Sequence, residues 1–108
     1  MNYAKLALSA FASVAFAATA SAQTVGIGST KAGAVSQITA TISKAVSEHA
    51  PGVQMRKQTR GGTQQYIPVV NAGELELGIS HIPQYDMARN GTGLSKGTKH
   101  ENLRLIAT

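Results

Sequence analysis

Arg60-Gly-Gly-Thr-Gln-Gln-Tyr-Ile-Pro-Val-Val-Asn-Ala-Gly-Glu-Leu-Glu-Leu-Gly-Ile-Ser80 is the stretch whose reading decides the fold. It reads as a glycine loop, a short helix, a tight turn and then a strand. Gly61 and Gly62 break the β-rich run Val53–Thr59 before it. Thr63 is the expected N-cap of a helix through about Ala72, with Ile67, Val69 and Val70 on its buried side. Pro68 falls at the fifth helical position from that cap, where its missing N–H removes a bond, so the helix either starts nearer Ile67 or kinks. Gly73 fits the left-handed residue that closes a helix. Leu75, Leu77 and Ile79 then alternate with Glu76 and Gly78, which predicts a strand with one apolar face. Similar strand-to-loop-to-helix junctions flank this stretch at Gly28-Ser29-Thr30 and at Ser80-His81. In an α/β sheet such junctions lie at the carboxyl ends of the strands, where ligands bind.

Working outward, Thr24–Gly28 reads as a short strand whose glycines allow close approach. Ser29 or Thr30 is the expected cap of a helix running to about His49. Val35, Ile38, Ile42, Ala45 and Val46 recur at helical spacing and predict one buried stripe. Lys44 and Glu48 lie on the opposite side, in register to pair weakly. Pro51-Gly52 ends that helix. Beyond the central stretch, Pro83 suits a first helical turn. A short helix through Tyr85, Met87 and Ala88 is expected to end near Asn90-Gly91. Thr92–Glu101 is a polar loop, and Asn102–Thr108 reads as a final strand. The resulting order, β-α-β-α-β-α-β, is that of an α/β layer domain. Because the last strand stops with nothing after it, the chain is expected to be the amino-terminal part of a longer protein.

Residues 1–22 read as a cleaved signal peptide. Lys5 supplies the positive start, Leu6–Ala18 the apolar run, and Ala20-Ser21-Ala22 the small-x-small cleavage pattern. The run is short and Ala-rich against the roughly 20 apolar residues of a membrane span. The expected location is therefore outside the cytoplasm, which the family resemblance below narrows to the periplasm, with residues 23–108 as the mature α/β unit. Without Lys5, nine Lys/Arg face five Asp/Glu, a formal balance of +4. The cations are spread along the chain rather than clustered, so a nucleic-acid partner is not expected; an anionic small molecule fits better. The absence of cysteine excludes thiol catalysis and thiolate metal sites.

Five blocks, in order, carry a family resemblance: Val25-Gly-Ile-Gly-Ser-Thr30, Gly61-Gly-Thr63, Asn71-Ala-Gly-Glu-Leu-Glu-Leu-Gly78, Asn90-Gly-Thr-Gly93 and Asn102-Leu-Arg-Leu105. Together they span most of Thr24–Thr108, and the Ala72-Gly-Glu-Leu block is the most specific. The chain resembles the TAXI-family solute-binding receptors of tripartite ATP-independent periplasmic (TRAP) transporters. That resemblance implies the amino-terminal lobe of a type II periplasmic-binding-protein fold, truncated at its carboxyl end, which closes with a second lobe on an organic acid. It also implies the membrane subunits of a TRAP permease as partners. The chain departs from the family in a first loop poorer in glycine, in few aromatics after it, and in His81 where a Gln or another polar residue is common.

The candidate ligand-binding residues are Ser29, Thr30, Gly61, Gly62, Thr63, Ser80 and His81. A carboxylate needs several donors, and hydroxyls with free amides at helix amino termini supply them. Ser29 or Thr30 would equally serve as a plain helix cap. Arg60 is able to place a guanidinium fork on a carboxylate, or to stand as a surface cation. Tyr66 and Tyr85 fit a pocket wall or the core. Glu74 and Glu76 read as solvated charges. No catalytic constellation, metal-ligand spacing or Walker-type loop stands out, so no enzyme activity, cofactor or metal is expected. A sensory ligand-binding subunit, or an exported enzyme on the same fold, are the alternative readings.

Overall fold

A computed structural model describes residues 21–108; nearly all of the signal-peptide reading lies outside the described residues. Three strands and three helices alternate: β1 (Gln23–Thr30), α1 (Ala34–His49), β2 (Val53–Arg60), α2 (Thr63–Asn71), β3 (Leu77–Gly78) and α3 (Ile82–Asn90). A short 3-10 helix, Gly93–Ser95, follows. The strands form one parallel sheet in the order β2-β1-β3. This is a small α/β domain, as the alternation of strand and helix signals requires. Among the described residues, no helix is long and apolar enough to cross a membrane.

Left-handed glycines close α2 and α3 where expected, whereas α1 ends at extended Ala50 before Pro51, with Gly52 in the turn that follows. Gly52 (φ 78°), Gly73 (φ 78°) and Gly91 (φ 73°) all adopt positive φ, a conformation cheap only for glycine. Gly73 donates to the Val70 carbonyl, and Glu74 donates to that of Val69, closing α2. Pro68 neither starts nor stops the helix: α2 begins at Thr63 and runs through it. The bond a residue 68 N–H would give to the Gln64 carbonyl is therefore missing, at an exposed position where water can serve.

Four expectations need correction. Ser29 and Thr30 do not cap α1; they are the last two residues of β1, and α1 starts three residues later from Gly33 (φ 83°). Thr63 is not a cap either, because Gly62 holds that place and Thr63 is the first helical residue. The third strand is two residues long rather than five. Glu76 Oε2 accepts from the Gly26 N–H at 2.7 Å, occupying a ladder position that the Leu75 carbonyl would fill in a longer parallel strand. Finally, 103–108 form no strand, and Leu105 and Ile106 are 51% and 79% exposed.

The buried face of α1 also differs from its apolar stripe. Val35, Ser36, Thr39 and Ser43 face the sheet, whereas Ile38 and Ile42 are exposed. Hydroxyls can be buried there because most are partnered. Thr39 Oγ1 donates to the Val35 carbonyl at 2.6 Å, and Lys57 Nζ donates to Ser36 Oγ at 2.9 Å. Ser43 Oγ has no partner. On α2, Tyr66 is buried at 1% exposure beside Leu75, also at 1%. The Lys44–Glu48 pair forms at 3.9 Å between two exposed side chains, where it adds little stability.

Candidate functional site

The register of the sheet gathers the three strand-to-helix junctions on one edge. Thr30 lies opposite Arg60 across β1 and β2, and Gly28 lies opposite Gly78 across β1 and β3. The loops Lys31–Gly33, Gly61–Gly62 and Ile79–His81 consequently leave the sheet side by side, and all three helices start from that rim. None of the helices has a side-chain cap, and none carries an acidic residue in its first turn. Helices ordinarily satisfy their first N–H groups with Ser, Thr, Asp or Asn and gather acids there. Here Gly33, Gly62 and His81 hold the cap positions, which leaves amides and positive dipole ends facing the rim.

The side-chain charges have the same polarity. Exposed Lys31 and Arg60 put two positive charges on this edge, with exposed His81 beside them. Of the five acids, Glu48 lies in the last turn of α1, and Glu74 and Glu76 precede β3. Glu101 adjoins Asn102, whose N–H donates to Asn71 Oδ1 at the end of α2. Those four belong to the opposite edge, and Asp86 sits one turn into α3.

The candidate residues divide by accessibility. Thr30 is half-buried and its hydroxyl donates to the Ala32 carbonyl at 2.9 Å. Ser80 Oγ donates to the His81 carbonyl at 3.0 Å, and His81 is exposed. Gly61 and Gly62 reach the surface, whereas Ser29 and Thr63 are buried at 0% and 5% exposure. Ser29 Oγ turns to the Thr30 carbonyl at 3.2 Å, so these two hydroxyls lie behind the rim. Tyr66 is a core residue: its hydroxyl donates to the Ile79 carbonyl, tying α2 to the loop that carries Ser80 and His81. Burial pushes the Tyr66 phenol above its ordinary value of 10.0, against a lowering hydrogen bond from Thr63.

Sequence reasoning passed over Gln65. Its Oε1 accepts from the Gly61 N–H at 2.8 Å, so a neutral carboxamide oxygen occupies the place where a carboxylate oxygen would sit on that amide. The signal was present in the spacing, since a Gln four residues beyond a glycine loop can reach back to it. Lys31, exposed beside Thr30, is a second residue that the loop's Gly-Ser-Thr reading leaves out.

No family model, curated protein or solved structure matches this chain. Beside the rim, an open groove of about 870 Å³ follows the free edge of β3, from His81 and Ile82 past Ile79 to Leu105. Ile38 and Ile42 of α1 flank it on one side and Val70 of α2 on the other.

Proposed function

We propose that this chain is the first α/β lobe of a type II periplasmic solute-binding protein, exported by its amino-terminal signal. It captures a small organic anion, a carboxylate or an amino acid, and delivers it to a TRAP-type membrane permease. The observation that supports anion capture most strongly is the set of three uncapped, acid-free helix amino termini on one basic rim. Each such terminus carries roughly half a positive charge, although α3 offers fewer donors, because Pro83 has no N–H and the Gln84 N–H goes to the His81 carbonyl. Gly62 and His81 supply accessible donors, Thr30 and Ser80 do so once their hydroxyls turn from the Ala32 and His81 carbonyls, and Gly61 does so once Gln65 releases it, with Lys31 and Arg60 beside them. Ser29 and Thr63 act from behind, Ser29 by holding the Thr30 carbonyl. An incoming carboxylate displaces the Gln65 oxygen from the Gly61 amide and gains a charge-assisted bond there.

A single rim leaves an anion half in water, where its interactions are weak. The two-lobe reading supplies a second wall that closes over the ligand. The free edge of β3 with its apolar flanks suits the attachment of further strands. Export, the two lobes and the permease rest on the signal pattern and on the five sequence blocks. Calorimetry of the complete two-lobed protein across dicarboxylates, amino acids and keto acids tests the reading, the lobe alone being expected to bind weakly or not at all. Saturable binding of one class, weakening with salt, is expected; binding by none of them would defeat it.

A further inference from the structure

The sheet is open along the outer side of β2, which pairs only with β1. Hydrogen bonds near the start of the strand fix which residues face outward. Gln23 of β1 donates to the Gly52 carbonyl at 2.8 Å, so the even-numbered residues turn their backbone groups to β1. Met55 turns the other way, and its N–H donates to Ser47 Oγ of α1 at 2.9 Å. Strand backbone alternates with a period of two, so Lys57 and Thr59 also hold their N–H and C=O outward. Among the described residues, nothing bonds to those groups. The side chains beside them are cationic. Arg56 and Arg60 are exposed on one face, roughly 13 Å apart along the strand, with exposed Gln58 between them. Exposed Lys57 lies on the α1 face, where its Nζ donates to Ser36 Oγ at 2.9 Å. Among the described residues the one ion pair is Lys44–Glu48, so all three cations of β2 lack a carboxylate.

From these features we infer that the outer edge of β2 docks an extended acidic peptide segment, which joins the sheet as a further strand. The peptide backbone meets Lys57 and Thr59, and carboxylates four residues apart meet Arg56 and Arg60. A second copy of the chain is disfavoured. Set antiparallel about Gln58, it would place Arg56 opposite Arg60, like charge against like. Cations on an edge ordinarily guard it against such self-pairing, and the same cations admit a strand of opposite sign. Single-stranded nucleic acid is disfavoured as well, because β2 carries no aromatic side chain on which a base could stack. Apart from Arg60, which also borders the rim, this surface is separate from the anion site and would stand if that reading failed.

The test is NMR titration and amide hydrogen exchange on the 108-residue chain with the peptide Thr-Glu-Val-Thr-Val-Glu-Thr. Both peptide ends are blocked, so it carries no terminal carboxylate for the rim. Saturable shifts along β2 are expected, weakening with salt. The Lys57 and Thr59 amides should gain protection from exchange, whereas Arg56 and Gln58, already bonded to β1, should gain none. The same peptide with lysine for glutamate should not bind. Arg56→Gln, at an exposed position, should weaken the acidic peptide several-fold. Thr59→Pro removes one outward N–H at an edge, where proline is tolerated. It should weaken binding about fivefold, the worth of one ordinary hydrogen bond. Equal binding of the lysine peptide or of an oligothymidylate, no gain of protection at Lys57 and Thr59, or full affinity in both variants would overturn the inference.

Discussion

Gly28 is paired in register with Gly78 across β1 and β3, and the Tyr66 ring fills the space that the two leave. A Cβ built on Gly28 would lie 2.8 Å from the ring, and one on Gly78 would lie 3.1 Å from it. The two glycines thus let a large side chain of α2 press onto the strand backbones. From there its hydroxyl reaches the Ile79 carbonyl, and the position of the Ser80-His81 loop follows.

Gly28→Ala forces either the ring or the strand to shift, and overpacking of this kind costs about 1–3 kcal/mol. Gly78→Ala should cost less, because its contact is looser and the residue is exposed. Urea denaturation of the two variants checks the order. Equal stability of Gly28→Ala and the parent would contradict the packing described.

Tyr66→Phe keeps the ring but orphans the Ile79 carbonyl, and should lose about 1–2 kcal/mol at pH 7. The folded state holds the phenol above 10.0, so the neutral form is favoured in the native protein. Its contribution is complete below the unfolded value and is lost as pH rises from there through the folded value. The parent should therefore lose more stability than Tyr66→Phe between pH 9 and 11. Parallel pH profiles for the two would contradict the assignment.

Ser43→Ala removes a buried hydroxyl that has no partner. With helix propensity acting in the same direction, the variant should be more stable by about 1 kcal/mol. Thermal melts measure this directly, and a loss of stability would show that Ser43 has an unseen partner.

Much of this architecture was legible because backbone rules are local. The glycines at 73 and 91 announce left-handed helix ends whatever surrounds them, Pro51 stops α1 at Ala50, and Pro83 marks a helix start for a similar reason. The buried face of α1 was not legible, because periodicity ranks Ile38 and Ile42 above Ser36, Thr39 and Ser43. Hydroxyls enter such an interface once partners are at hand: Thr39 bonds back to the Val35 carbonyl of its own helix, whereas the partner of Ser36, Lys57 of β2, emerges only in three dimensions. The length of β3 depended on Glu76 reaching Gly26, a contact between residues fifty positions apart. At the rim, the loops were readable as loops. Which hydroxyls face outward was not, since Ser29 and Thr30 alternate across the strand and only the sheet decides which side is covered.

Arg60→Gln should weaken anion binding tenfold or more, the scale of one charge-assisted hydrogen bond. Arg60 is exposed, so the melting temperature should stay unchanged. Arg56→Gln, exposed on the same strand but two repeats of the pleat away from the rim, serves as the control and should bind as the parent does. Equal losses in both variants would indicate general charge attraction rather than a site.

The most direct measurement is to follow backbone amide shifts while adding the organic acid that calorimetry finds to bind best. The expected result is a saturable set of shifts at Lys31, Gly33, Gly61, Gly62 and His81, the amides of the three uncapped helix starts and their loops. Shifts centred instead on the opposite edge, at Gly52, Gly73 and Asn102, or no saturable shift with any acid, would contradict anion capture at this rim.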